Sequence, residues 1–280
     1  MLMARVESWL PAVFVGCSAA VIAVCLGLLG LLLLRPELVE RHTAGVEPPL
    51  RYDAAGIEAL QAGTAIAIPH NSGDSVAAAR RALAHGARAI EIDVALVGQH
   101  LRAAHDIPHR LLGDRFTRRP LLGTVWDVVR DAELIVLDLK GSSTRFVDAL
   151  SDFLVERPDS PIVMVGPHPA VLHRLGERVD APLLLSVPDH AALDDVLALD
   201  PAQVDGISIR HELIDDQLMT LASQLGWVVF AWTVGDPHRF EEVDRMGVVA
   251  VATDNLAIVE ARGARELAVP LTTLLDKEST

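Results

Sequence analysis

The chain has 280 residues, 51% of them hydrophobic, which is enough for one sizeable core and too few for two large domains. A formal net charge of -14 and an aromatic content of 4% exclude a nucleic-acid binder that works through a basic field or by stacking on single strands. The two cysteines, Cys17 and Cys25, share one apolar N-terminal run, so the rest of the chain has neither a disulfide framework nor a cysteine-ligated zinc site.

That run, residues 11–34, carries no charge. As a helix it would rise about 36 Å at about 1.5 Å per residue, more than the roughly 30 Å of a bilayer's hydrocarbon. It predicts a single-pass membrane anchor within residues 1–35. A cleaved signal peptide or a lipoprotein is the alternative, but "RPELVERH" after the run has no small-residue cleavage site. Arg5 before the run and Arg35 and Arg41 after it leave the side of the membrane open.

Residues 36–63, with Pro36, Pro48 and Pro49, read as a juxtamembrane linker and barrel entry. From residue 64 to 265 short apolar runs alternate with amphipathic stretches. The strand candidates are 65–68, 89–94, 134–140, 162–166, 183–187, 206–209, 227–234 and 248–253. Between them lie helical stretches such as "DSVAAARRALAHG" and "RFVDALSDFLVER", with glycine or proline near many ends. This alternation predicts an α/β fold, a (β/α)₈ TIM barrel. An open doubly wound sheet is the alternative, weakened because no G-x-G-x-x-G follows the first strand. Residues 266–280 read as a C-terminal tail.

Polar residues gather where these strands end, the face that hosts chemistry in a barrel. They are His70 and Asn71, Glu91 and Asp93, then His105 and Asp106 after a hairpin-like segment. Asp138 and Lys140, His168, Arg210 and His211, Trp232 and Thr233, and Thr253 and Asp254 follow. Residues i and i+2 of a strand share a side, so Glu91 and Asp93 form one pair and Asp138 and Lys140 another. Three converging carboxylates repel one another, and one hard divalent cation, Mg²⁺ or Ca²⁺, would resolve that cost. An ordinary salt bridge to Lys140 is the bland alternative for an isolated E-x-D. His70 and His105, each unremarked alone, make an acid/base pair beside such a cluster. His168 and His211 read as rim residues without a role. The arginine-rich stretch "HRLLGDRFTRRPL" (109–121) is either a surface loop or a phosphate-facing lip.

Taken in order, "IPHN", "GARAIEIDV", "AAHD", "LDLKG", "FAWTV" and "GVVAVATDN" resemble the motifs of the glycerophosphodiester phosphodiesterase family and the wider phospholipase C-like phosphodiesterases. The resemblance spans about residues 64–260. It implies that Glu91, Asp93 and Asp138 bind the metal, that His70 and His105 are the catalytic pair, that Lys140 neutralises a phosphate oxygen and that Trp232 lines the pocket. It also implies that a neighbouring hydroxyl of the substrate can act as nucleophile. Two departures are visible. Asn71 stands at the phosphate-binding position where the family usually has arginine, and Asp138 stands where it usually has glutamate. Both look like the sphingomyelinase D-like branch. The expected function is a membrane-anchored, metal-dependent phosphodiesterase cleaving glycerophosphodiesters or lysophospholipid-type diesters. Its partners would be a phosphodiester or lipid-derived substrate and a membrane through 11–34, with no nucleic acid. A barrel that binds a phosphorylated ligand without turnover is the alternative, and a metal-dependent aldolase or isomerase fits the motifs less well.

Overall fold

The computed structural model describes residues 50–61, 63–105 and 119–263, all within the unit Pro48–Thr280. The run at 11–34, most of the 36–63 linker, Asp106, most of the arginine-rich stretch and the tail at 266–280 lie outside the described residues.

Strands and helices alternate as the sequence suggests. In chain order they are β1 (Ile66–Pro69), α1 (Val76–Ala84), β2 (Ala89–Val97), β3 (His100–Ala103), α2 (Leu122–Val129), β4 (Leu134–Leu139), α3 (Thr144–Val155), β5 (Ile162–Gly166) and α4 (Pro169–Gly176). Then come β6 (Leu183–Val187), α5 (His190–Leu197), β7 (Gly206–Arg210), α6 (Asp216–Leu225), β8 (Val228–Trp232), α7 (Pro237–Arg245), β9 (Ala250–Thr253) and α8 (Leu256–Gly263). Five of the helices start on a side chain that satisfies a free N–H of the first turn. Ser75, Ser143, Asp189, Asp215 and Asp236 accept from Ala78, Phe146, Ala192, Leu218 and His238 at 2.8 to 3.2 Å.

The sheet has nine strands in the order β1-β9-β8-β7-β6-β5-β4-β2-β3. All ladders are parallel except the one between β2 and β3. The sheet curls so that β1 comes to lie beside β2, the arrangement of a (β/α)₈ barrel, although no ladder joins those two strands. β3 is additional to the eight expected strands. It lies antiparallel on Val94–Val97 and carries the chain towards His105. The sequence showed only a hairpin there because His100-Leu101-Arg102-Ala103 is too short and too polar for a strand signal.

Alternation along each strand sorts side chains into two cores. In β4, Leu134 and Val136 point into the barrel with Ile66, Ile68, Val163, Val165, Leu184 and Phe230. Ile135, Leu137 and Leu139 point out against the helices. The inward series of β4 therefore runs Leu134, Val136, Asp138, from an apolar floor to a polar mouth.

The membrane placement expected from 11–34 does not stand. Among the described residues no helix is long and apolar enough to cross a membrane. The longest, α3, has 12 residues. It rises about 18 Å, well short of about 30 Å of hydrocarbon.

Where the strands begin, a buried ion cluster closes the barrel. Arg262 of α8 reaches Asp244 at 2.5 Å and Glu241 at 3.2 Å, both on α7. Glu241 also accepts from the N–H of Gln61, and Asp244 from those of Thr64 and Ala65, which fixes the approach to β1. Removing one partner of a buried cluster strands the others. Arg262→Leu is expected to cost about 3–5 kcal/mol in urea unfolding. Arg178→Ala, which breaks an exposed pair with Asp152, should cost less than about 1 kcal/mol. Equal costs for the two variants would show that the cluster does not hold the barrel closed.

Candidate active site

The parallel register of β2 and β4 sets Asp93 directly opposite Asp138. Glu91 lies two residues earlier on the same inward face. The three carboxylates each offer an oxygen, and these oxygens all lie within 4.8 Å of one another. Asp93 is 0% exposed and Glu91 8%. Lys140 Nζ sits 3.1 Å from Asp93 Oδ1 and 2.8 Å from Asp138 Oδ2.

A tight turn after β1 buttresses this cluster. Asn71 is left-handed, at φ 52°, a conformation that asparagine tolerates better than most residues. Its backbone N–H donates to Glu91 Oε2 at 3.2 Å. The buried turn Ser72–Asp74 then packs against β2, where a Cβ on Gly73 would stand 2.7 Å from the Glu91 carbonyl oxygen. Asp74 Oδ1 accepts from the Asp93 N–H at 3.0 Å and so fixes the strand that carries two of the three carboxylates.

His70 ends β1, and its Nδ1 lies 3.1 Å from Asp254 Oδ1 at the end of β9. With Nδ1 engaged by that carboxylate, Nε2 is the nitrogen left for chemistry. Burial works to lower the His70 pKa, but Glu91, then the hydrogen bond and charge of Asp254, then Asp93, raise it to about 9. Burial pushes Glu91 up to about 7, with Asp93 and Asp138 adding to the rise and His70 and the Asn71 N–H opposing it. Burial also raises Asp138, against the opposing charges of Lys140 and His105. Lys140 is desolvated, yet its two carboxylate neighbours raise its pKa and keep it charged.

These groups open on a cavity of about 160 Å³ bordered by His70, Glu91, His105, Asp138, Lys140 and Trp232. The structure thus brings together seven of the eight residues singled out in the sequence, counting Asp93 through its place in the carboxylate cluster. Asn71 is the exception. Its side chain does not border the cavity, and its Oδ1 meets no donor among the described residues. His168 and His211 stay outside the cavity, and His211 accepts from Arg239 Nε at 3.3 Å. Asp254 and Asp74 were not assigned a role from sequence. Asp254 could have been, because closing a barrel brings the last strand beside the first.

The donor set suits a hard cation. Oxygen ligands about 2.1–2.5 Å from one ion lie at most about 4.2–5 Å apart, which the three carboxylates meet. Asp93 Oδ2 is buried and meets no hydrogen-bond donor among the described residues, an expense that a cation would remove.

Residues 139–258 match the glycerophosphoryl diester phosphodiesterase family. No curated protein sequence matches the chain significantly. Solved structures resemble it in fold. One is a protein of Silicibacter pomeroyi assigned as a glycerophosphoryl diester phosphodiesterase. It is 17% identical with a TM-score of 0.61 over 75% of this chain and 96% of that one. Another is a phosphodiesterase of Oleispira antarctica, in complex with the product sn-glycerol-3-phosphate. It is 18% identical with a TM-score of 0.59 over 70% and 96%. A glycerophosphodiester phosphodiesterase of Thermotoga maritima is 15% identical with a TM-score of 0.57 over 71% and 97%. At these identities the likeness is one of fold.

The two raised pKa values give a sign to the pH dependence of the metal-free protein. Glu91 rises from 4.5 to about 7, so the stability tied to its protonation is complete below 4.5 and lost by about 7. His70 rises from 6.5 to about 9, so its contribution is complete below 6.5 and lost as pH rises through about 9. In chelator the thermal midpoint should therefore fall between about pH 5 and pH 9. Asp254→Asn should move the His70 NMR titration to lower pH. A midpoint that climbs over that range would contradict the assigned environments.

Proposed function

We propose that this phosphoric diester hydrolase is a glycerophosphodiester phosphodiesterase working with one divalent cation, Mg²⁺ or Ca²⁺, at Glu91, Asp93 and Asp138. Its class rests on the family match over residues 139–258. The observation that carries the finer reading is the clustering of three carboxylate oxygens within 4.8 Å beside a cavity that also receives His70, His105 and Lys140. A bound cation would polarise phosphoryl oxygens there.

The residues of the chain supply the rest. Lys140, held charged by Asp93 and Asp138, offers its ammonium to a phosphate oxygen. His70, oriented through Nδ1 by Asp254, presents Nε2 to the cavity and is suited to give the leaving alcohol its proton. His105, on the same cavity, accepts the proton of the attacking hydroxyl, whether that is water or a neighbouring hydroxyl of the substrate. Trp232 walls the cavity and excludes bulk water. The substrate is a glycerophosphodiester, and the product on the glycerol side is a glycerol phosphate like the one bound by the Oleispira antarctica protein.

Asp93→Asn should abolish most Mg²⁺ and Ca²⁺ binding by calorimetry while leaving the circular dichroism unchanged. Binding that survives intact would remove the cation from this cluster. His70→Ala and His105→Ala should each lower turnover of glycerophosphocholine by about 10²–10⁴-fold. Near-normal rates in both would place the acid and base elsewhere.

A further inference from the structure

The wall of the cavity farthest from the carboxylates carries two serines that the roles above do not use. Ser186 is on β6 and Ser208 on β7, directly opposite each other in register. Both occupy inward positions of the alternation, two residues beyond Leu184 and Gly206 and level with Phe230 on β8. Both border the cavity. In a closed barrel these positions usually hold bulky branched side chains that fill the interior. Here they hold hydroxyls, and neither hydroxyl has a hydrogen-bond partner among the described residues. Ser208 is 8% exposed, and what it exposes borders the cavity.

The surroundings narrow what could satisfy them. Val165, Phe230 and Trp232 make the adjoining wall apolar and uncharged. A quaternary ammonium gains no hydrogen bond from two hydroxyls, and a phosphate does not use both their donating and their accepting capacity. A small polyol does, because each serine can both donate to and accept from an alcohol while the carbon chain rests on Phe230. Strands about 4.8 Å apart bring the two serines within reach of neighbouring hydroxyls on one ligand. The cavity, about 160 Å³, has the volume of roughly five waters at about 30 Å³ each, which suits a glycerol-sized group. In the sheet order β6 and β7 stand across the barrel from β1 and β2, which carry His70 and Glu91. A phosphate near Glu91 and Lys140 would thus have the serines on the opposite wall, within reach of one of its two alcohols.

We infer that Ser186 and Ser208 form the seat for the free hydroxyls of the glycerol moiety and so select hydroxyl-bearing phosphodiesters. This deepens the glycerophosphodiester reading and rests on it. A site built to hydrogen-bond a hydroxyl rejects an analogue that lacks it.

The test compares glycerol 3-phosphate with n-propyl phosphate, which has the same charge and nearly the same size but no free hydroxyl. Both are titrated calorimetrically into the full-length protein with Mg²⁺ and with Ca²⁺. Wild type should bind glycerol 3-phosphate at least about 10-fold more tightly. Ser186→Ala and Ser208→Ala should each cut that preference by about 3- to 10-fold, and the double variant should remove it. Ser208→Thr, which keeps a hydroxyl, should retain it. The inference is overturned if wild type shows no preference, or if the double variant keeps the wild-type ratio. Turnover of glycerophosphocholine, measured alongside, separates the two readings. A wild type that shows the preference without turnover loses the enzymatic reading and keeps the seat. One that turns over substrate with its ratio unmoved by the double variant loses only the seat.

Discussion

Three carboxylates share a largely buried barrel mouth with a single lysine, and that imbalance of charge governs the site. Two buried carboxylates facing each other across a parallel ladder are costly unless positive charge lies between them. Lys140 meets Asp93 and Asp138 and stays charged because of them. Glu91 is left without such a partner, so it leans on the Asn71 N–H and on His70. The histidine in turn is drawn towards its protonated form. A protonated imidazole and a cluster of free oxygen donors thus arise from one electrostatic cause. The arrangement depends on strand phase, because a one-residue slip of β2 against β4 would turn Glu91 and Asp93 out of the barrel while Asp138 stayed inside.

The fold guards that phase from both ends. At the mouth, the turn at Ser72–Asp74 holds β2 through Asp74, and Asp254 holds the imidazole on β1. At the base, Arg262 ties α7 to α8 while the acidic partners grip the backbone leading into β1. The positions between carry hydrocarbon, sorted inward or outward by alternation alone. Polar groups therefore occur at the two rims of the barrel and are scarce in its middle.

Much of this was legible in the sequence because its signals are local. E-x-D and D-x-K put like-facing side chains two residues apart, and the strand period guarantees that they share a side. Apolar runs spaced by amphipathic stretches gave the alternation of β and α. What stayed hidden depends on distant pairing. Asp254 lies 184 residues from His70, and in isolation it is an acidic residue after a strand like many others. Asp74 serves a backbone N–H, a partnership that no residue pattern encodes. Asn71 was read as a phosphate ligand by its place in a motif, but its left-handed backbone turns the main chain, rather than the side chain, towards Glu91. The apolar run at 11–34 lies outside the described residues, and among those no helix is long and apolar enough to cross a membrane.

The junction between β1 and β2 differs from every other in the barrel, since no backbone ladder spans it. Elsewhere the gap between strands is set by peptide geometry at about 4.8 Å and is indifferent to side-chain identity. Here side chains set it, with the Asn71 N–H reaching across to a carboxylate. The distance from imidazole to carboxylates is accordingly the one dimension of the enclosure that point substitutions can adjust continuously. For an engineer who wants the barrel to accept a bulkier or a slimmer diester, this joint is the tuning screw, and the laddered strands are the fixed frame.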